Sequence, residues 1–327
     1  MNEEFKETEV LITGGLGFIG SNLAHKLVKL DANVTIVDAM IPEMGGNLYN
    51  IYEIRDRVKL NFADIRDENA MNQLVKDKDY IFNLAAQLSH TESMKDPFSD
   101  LDINCQGHLI LLEACRKFND DTKIIYTGTR AQYGKILYNP VDEKHPINPT
   151  DANGITKHAC EQYHLLYYNV YGIKTTSLRL TNTYGPRHQM KHKEQGFVGW
   201  FIRQAIDNEE IKIFGDGQQV RDINYVDDVV DALLMAAIDD KVNGEVFNLG
   251  GCPVSLLNLV KLIIDAVGRG TYKLVEYPKE WKKIEIGNYI ADITKIKNEL
   301  GWEPKTDIKE GLIKTVKYYE RNKSYYW

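Results

Sequence analysis

An apolar run, Glu9–Thr13, ends in Thr13-Gly14-Gly15-Leu16-Gly17-Phe18-Ile19-Gly20, and an amphipathic segment follows at once. A strand that turns through glycines directly into a helix leaves few folds open. Small residues stand where the main chain must approach a pyrophosphate and where helix must pack on strand. The free amide hydrogens and positive dipole end of that helix face the same point. Asp38 closes the second strand-like segment, where a carboxylate accepts hydrogen bonds from the adenosine ribose hydroxyls of a dinucleotide. No Lys or Arg lies immediately beside it to meet a 2′-phosphate, so the pattern favours NAD over NADP. Asp64-Ile65 and Asn83-Leu84-Ala85-Ala86 end the third and fourth strands, on the edge where such sheets bind ligands.

The first half keeps one rhythm. Strands are expected near Glu9–Thr13, Asn33–Val37, Val58–Phe62, Tyr80–Asn83, Lys123–Thr127 and Thr175–Leu180. Between them, helices are expected at Phe18–Leu30, near Asn47–Arg57, at Glu68–Val75, Pro97–Phe118 and Asn153–Tyr171. The fold class is therefore α/β, a doubly wound parallel sheet of Rossmann type. Beyond about residue 181 the segments shorten and Gly and Pro accumulate, as in Gly185-Pro186 and Gly215-Asp216-Gly217. This predicts an NAD-binding domain over 1–180 and a smaller mixed α/β substrate lobe over 181–327, interleaved and tightly packed.

Composition narrows the partners. A formal charge of −7 offers no basic stripe for a nucleic acid, although Lys191 and Lys193 suit a small anion. No run of 18 apolar residues is present, and the first residues are acidic and polar, so the expectation is a cytoplasmic chain with no membrane partner. Cys105, Cys115, Cys160 and Cys252 lie far apart without Cys-x-x-Cys spacing, and no metal or disulfide is expected of them.

Together these segments resemble the extended short-chain dehydrogenase/reductase family, in its nucleotide-sugar epimerase/dehydratase branch. Further carriers of the resemblance are Asn83 to Gln87, Thr129 with Tyr133-Gly134, Lys157, Arg179-x-x-Asn182-x-Tyr184-Gly185-Pro186, and Arg221-Asp222 with Tyr225-Val226-Asp227-Asp228. The resemblance implies bound NAD held by Gly14, Gly17, Phe18, Ile19, Gly20, Asp38, Asp64, Ile65, Leu84, Ala85, Ala86 and Lys157. It also implies a nucleotide-diphosphate sugar under the second lobe and hydride exchange at sugar C4. Gln87, His90, Thr129, Asn182, Phe197 and Arg221 are the residues expected to meet that substrate. The guanidinium fork of Arg221, with Asp222 and Asn224 beside it, suits a diphosphate. The stretch Trp281 to Asn288, with Lys283, stands where relatives hold the nucleotide, and Gln195-Gly196-Phe197 opens a helix whose start suits phosphate.

In this family a Ser or Thr hydroxyl, a Tyr phenolate and a Lys work together. Thr129 and Lys157 match the first and last, but the tyrosine position is Asn153. An amide cannot act as the ionisable base that a phenol becomes beside an ammonium. Three explanations are open: an engineered block, a native site with another base (His90, Tyr133, Tyr184 or Lys157), or a protein that binds nucleotide sugar without turnover. Arg130 and Ala131 follow Thr129, where related dehydratases carry an acid pair, so elimination is disfavoured unless Glu92 or another acid substitutes. A 4-epimerase or 4-oxidase is the leading expectation. The apolar stretches Leu109 to Leu112 and Tyr163 to Tyr168 exceed what one sheet face consumes, and by the family's habit predict a homodimer.

Overall fold

The computed structural model describes residues 3–193, 196–277 and 286–327. Its centre is a parallel sheet of seven strands: β1 Glu9–Thr13, β2 Asn33–Asp38, β3 Val58–Phe62, β4 Tyr80–Asn83, β5 Lys123–Thr129, β6 Thr175–Leu180 and, far along the chain, β10 Val246–Asn248. Their spatial order is β10-β6-β5-β4-β1-β2-β3, so the winding reverses between β1 and β4. Both faces are covered, which explains why β5 reads as a nearly continuous buried run. Successive residues serve opposite cores: Val10 and Ile12 pack with helices α1 (Phe18–Lys29) and α8 (Val226–Ile238). Leu11 faces α2 (Glu68–Leu74), α5 (Gly107–Phe118) and α6 (Ala152–Tyr171) on the other side.

All six strands expected from the sequence form, with ends within two residues of those expected. The seventh, β10, comes from the second half and pairs with β6. Asn47–Arg57 forms a 3-10 helix over Leu48–Arg57. The helix expected over Pro97–Phe118 is one rod in three parts: α4 Pro97–Leu101, a π-turn over Asp102–Gln106, and α5. A further helix, α3 His90–Lys95, lies where the sequence showed only a joint, and Ser89 caps it by accepting the Glu92 N–H.

The second lobe has its own core, in which α7 (Phe197–Ile206) and α9 (Leu256–Val267) pack with β8 (Glu210–Phe214), β9 (Val220–Tyr225) and the helix Ile308–Asn322. A short three-stranded sheet joins β9 to β7 (Asn182–Tyr184) and β11 (Cys252–Ser255). Within the central-sheet body, α6 is tied to β6 and to the late strand β10 by a buried polar chain. Glu161 of α6 receives both nitrogens of the Arg179 fork on β6, at 3.0 and 2.6 Å. Arg179 also donates to the Tyr133 hydroxyl at 2.7 Å, and that hydroxyl donates to Asn248 of β10 at 2.6 Å. Burial alone would raise the Glu161 carboxyl, but hydrogen bonds from His158 and Arg179 outweigh it and bring it down to about 2.

Removing one partner strands the other charge in the interior. Glu161→Ala is expected to cost about 3–5 kcal/mol in urea denaturation at neutral pH. Because the Glu161 contribution is complete above its unfolded value and disappears as pH falls toward about 2, the gap between wild type and variant should close on acidification.

Candidate active site

A cleft of about 440 Å³ runs along the carboxyl ends of the central strands, across the β1/β4 reversal and under the second lobe. At one end the main chain itself forms the wall. Gly14 sits at φ +67°, and a Cβ there would lie 2.9 Å from Ala85 Cα. A Cβ on Gly20 would lie 2.4 Å from the Gly14 carbonyl oxygen, so the first turn of α1 presses on the loop as only glycine permits. Gly17 caps α1 without any side-chain acceptor, leaving the helix start to a ligand. Asp38 accepts the N–H groups of Leu16 at 3.0 Å and Met40 at 2.9 Å, while its burial raises the carboxyl against them. Asp64 is held by a two-pronged contact from Arg66 at 2.9 and 2.7 Å, which lowers its carboxyl. Gly14, Gly17, Phe18, Ile19, Gly20, Asp38, Asp64, Ile65, Leu84, Ala85 and Ala86 all line this cleft. The crowded glycines and the uncapped helix fit a dinucleotide pyrophosphate, and Asp38 fits its ribose.

At the other end, Thr129, Asn153, Lys157, His90, Asn182 and Phe197 come together on the same cleft. Thr129 caps the 3-10 turn Arg130–Tyr133, its hydroxyl oxygen accepting the Ala131 N–H at 3.2 Å, so the hydroxyl hydrogen is left for a ligand. Lys157 lies nine-tenths buried, donates to the Thr127 carbonyl at 3.1 Å and stands 5.2 Å over the Tyr126 ring. Burial pushes its ammonium down to about 8, against the opposing fields of Cys160 and Asp100.

Asn153 turns inward. Its amide nitrogen donates to the Gln87 carbonyl at 2.9 Å and to Asp100 Oδ1 at 3.3 Å. Asp100 is fully buried and also accepts from Thr156 at 2.5 Å and Asn104 at 3.0 Å. Burial raises its carboxyl against those donors. The π-turn begins two residues after Asp100 and brings Ile103 to the cleft wall. Nothing local in the sequence distinguished Asp100 from an ordinary surface acid of a helix.

Several other residues expected from the sequence do not line the cleft. Gln87 does not line the cleft; its side chain turns back on Ser89, donating to that residue's carbonyl and accepting its N–H. Arg221 is buried, and its Nη1 donates to the carbonyls of Val220 at 3.0 Å and Gly287 at 2.9 Å. Asp222 serves the Gly251 and Ala291 amides, and Asn224 the Gly250 carbonyl. Tyr133 and Tyr184 are sealed in the interior with raised hydroxyls, Tyr133 at about 12, and neither reaches the cleft. Glu92 faces outward and pairs with Lys95. Gln195 and the Trp281–Glu285 stretch with Lys283 lie outside the described residues. His188, unremarked in the sequence, lines the cleft with its ring stacked 4.5 Å from Phe18.

The fold and this cleft define a dinucleotide-dependent enzyme class, and comparison with known proteins places the chain within it. Residues 11–315 match the family model described as GDP-mannose 4,6 dehydratase. A putative UDP-glucose 4-epimerase of Methanocaldococcus jannaschii is 36% identical, with 96% of this chain and 99% of that protein aligned. The crystal structure of a UDP-glucose 4-epimerase from Thermotoga maritima with UDP-glucose superposes with a TM-score of 0.87 at 35% identity, covering 96% of this chain and 99% of the other. A Thermus thermophilus UDP-glucose 4-epimerase complex with NAD gives 0.84 at 28% identity, covering 96% and 99%. The chain belongs to the extended short-chain dehydrogenase/reductase family of NAD-dependent nucleotide-sugar epimerases and dehydratases. Its cofactor is NAD. Among the described residues no helix is long and apolar enough to cross a membrane.

The buried ammonium makes stability depend on pH in a defined direction. Between about 8 and the unperturbed 10.5 the unfolded chain holds the Lys157 proton that the folded one has released, so stability from this group rises with pH. Urea denaturation of wild type and Lys157→Met across that window should differ by a slope totalling about 3 kcal/mol, steeper in the wild type.

Proposed function

We propose that this enzyme acts on a nucleotide-diphosphate sugar through oxidation at C4, as a 4-epimerase or a 4-oxidase. The observation that carries this reading is that, among the described residues, no carboxyl group lines the sugar end of the cleft. Among the described residues, the acids that line the cleft are Asp38 and Asp64, both on the strand ends that flank the dinucleotide loop. Arg130 and the buried Ala131 follow Thr129, and Glu92 is turned away. Elimination of water across C5 and C6 needs one acid to protonate the leaving hydroxyl and a base to take the C5 proton. Hydride exchange at C4 needs neither of these, only a group that takes and returns the C4 hydroxyl proton.

Bound NAD supplies the hydride acceptor and, on return, the donor. The chain's own residues hold the sugar and its developing charge. Thr129 presents a hydroxyl hydrogen to the C4 oxygen, where a fixed donor stabilises negative charge as it forms. Lys157, tied to the Thr127 carbonyl, contributes positive charge from a site where water is largely excluded. Asn182 and Phe197 close the second-lobe side, and Arg130, over the Tyr289 ring at 5.7 Å, adds a cation at the rim. The inward amide of Asn153 supports a native residue rather than a substituted one, because Asp100 and the Gln87 carbonyl are arranged to receive it. A homodimer belongs to the same reading. Half-buried Leu109 and Ile110 on α5 and exposed Leu166 and Val170 on α6 leave an apolar helical face for a second copy.

Purified protein incubated with UDP-, GDP-, CDP- and dTDP-glucose tests this. Reduced cofactor should appear by absorbance with at least one of them, with the C4 epimer or 4-keto sugar found by NMR and no solvent deuterium at C6. Deuterium at C6 would make the enzyme a lyase, and binding without any reduced cofactor would make it a binding protein. Asn153→Tyr should lower both turnover and stability, the latter by about 1–3 kcal/mol as Asp100 loses a buried donor. A variant faster than wild type would mean that the amide is foreign to the site.

A further inference from the structure

Oxidation at C4 requires a group that accepts the hydroxyl proton, and this inference rests on that reading. With the phenol absent, the titratable side chains that line the cleft near Thr129 and Phe197, among the described residues, are those of Lys157, His90, His188 and Lys193, and His188 stacks on Phe18 beside the glycine loop. Lys157 spends its ammonium on the Thr127 carbonyl, and Tyr126 beneath it donates to the Lys157 carbonyl. Tyr133 and Tyr184 do not reach the cleft. His90 does.

His90 opens α3, and its ring Nδ1 lies 2.8 Å from Asp151 Oδ2. The histidine side chain is 39% exposed, whereas that of Asp151 is 8% exposed. Asp151 is itself fixed, because its other carboxylate oxygen accepts the Gly154 N–H at 2.8 Å and so caps α6. An ionised carboxylate only accepts, so neutral His90 must carry its hydrogen on Nδ1 and offer the Nε2 lone pair. Burial alone would raise the Asp151 carboxyl, but its hydrogen bond and charge interaction with His90 leave it lowered. A second thread holds the pair to the vacated position. The Asn153 main-chain N–H donates to Ser93 Oγ at 3.2 Å, and that hydroxyl donates to the His90 carbonyl at 2.8 Å. The helix that carries the amide in place of the phenol thus also anchors the histidine.

We propose that His90 Nε2 takes and returns the sugar hydroxyl proton in place of the missing phenol, with Asp151 as its positioning residue. In the forward half the C4 oxygen gives its proton to Nε2, the C4–H bond breaks with its electron pair passing to the oxidised nicotinamide, and a C4 carbonyl forms. In the return half the hydride adds back to C4 and the imidazolium reprotonates the oxygen, so protons and electrons both balance. Thr129 keeps its hydrogen throughout and donates to the oxygen.

The test uses the NAD-loaded full chain and the glucose nucleotides named above. His90→Gln should lower kcat by about 10²- to 10⁴-fold while calorimetric affinity for the sugar nucleotide and bound NAD content hold. Free imidazole should restore part of the lost rate in His90→Ala, in proportion to its concentration. The ring 15N spectrum of the wild-type holoenzyme, with the His90 signals assigned by their loss in His90→Gln, should show the Nδ1–H tautomer. Asp151→Asn should abolish that tautomer preference and lower kcat without a matching change in KM. A His90→Gln enzyme within about threefold of wild type, or a His90 ring found as the Nε2–H tautomer, overturns the dyad and leaves C4 oxidation standing. A wild-type enzyme that reduces no cofactor with any of the four sugars overturns both.

Discussion

The hydroxyl of Thr13 joins the two strands between which the sheet reverses its winding. It donates to Asn83 Oδ1 at 3.0 Å and accepts the N–H groups of Leu84 and Ala85 at 2.9 and 3.1 Å. Parallel neighbours β1 and β4 send their chains away to opposite faces at this point, and the crevice so left is where an open α/β sheet binds its ligand. The clasp sets how far the two loops stand apart. Gly14 can then approach Ala85 closely enough that no Cβ fits between them. Asn83 passes the constraint on, its amide meeting His164 Nε2 at 3.2 Å, while His164 Nδ1 lies 2.9 Å from the Cys160 carbonyl of α6. The helix that carries Asn153 and Lys157 is therefore registered against the glycine loop through a few buried polar contacts. An unmet buried amide or hydroxyl in this chain would cost about 1–3 kcal/mol, so the arrangement is narrow.

What the sequence disclosed follows from range. The Gly14 to Gly20 turn, Asp38 and the six strands are signals of neighbouring residues, because periodicity, β-branched runs and glycines act over one or two turns of chain. β10 escaped because three residues after a glycine turn carry no period, and only its partner β6, far back in the chain, makes it a strand. Asp100 escaped for a similar reason. As a residue of a short helix it reads as solvated, and only the fold brings Asn153 and Thr156 to it.

At Arg221 and Tyr133 the chemistry was legible but the contacts made by the side chain were not. A guanidinium suits phosphate and also suits main-chain carbonyls, and in this protein the Nη1 of Arg221 donates to those of Val220 and Gly287. A tyrosine four residues after the catalytic hydroxyl position invites a role in proton transfer. Its hydroxyl is instead committed to Arg179 and Asn248, within the chain that joins α6, β6 and β10. In both cases the residue type was consistent with function, and the fold adds contacts to the scaffold that the sequence does not announce.

The π-turn at Asp102–Gln106 lets one rod serve two masters. A single extra residue in a helix swings everything beyond it by about 100° around the axis relative to an uninterrupted α-helix. Before the swing, Asp100 points to the amide at position 153; after it, Gly107 packs so closely on Ile65 that an added methyl would come within 2.6 Å of that side chain. Straightening this element by one deletion would leave it hydrogen-bonded along its whole length, yet it would offer the wrong stripe either to the sugar chamber or to the adenosine wall. The irregularity works as a fixed phase shift, coupling the shapes of two chambers that the primary structure encodes far apart.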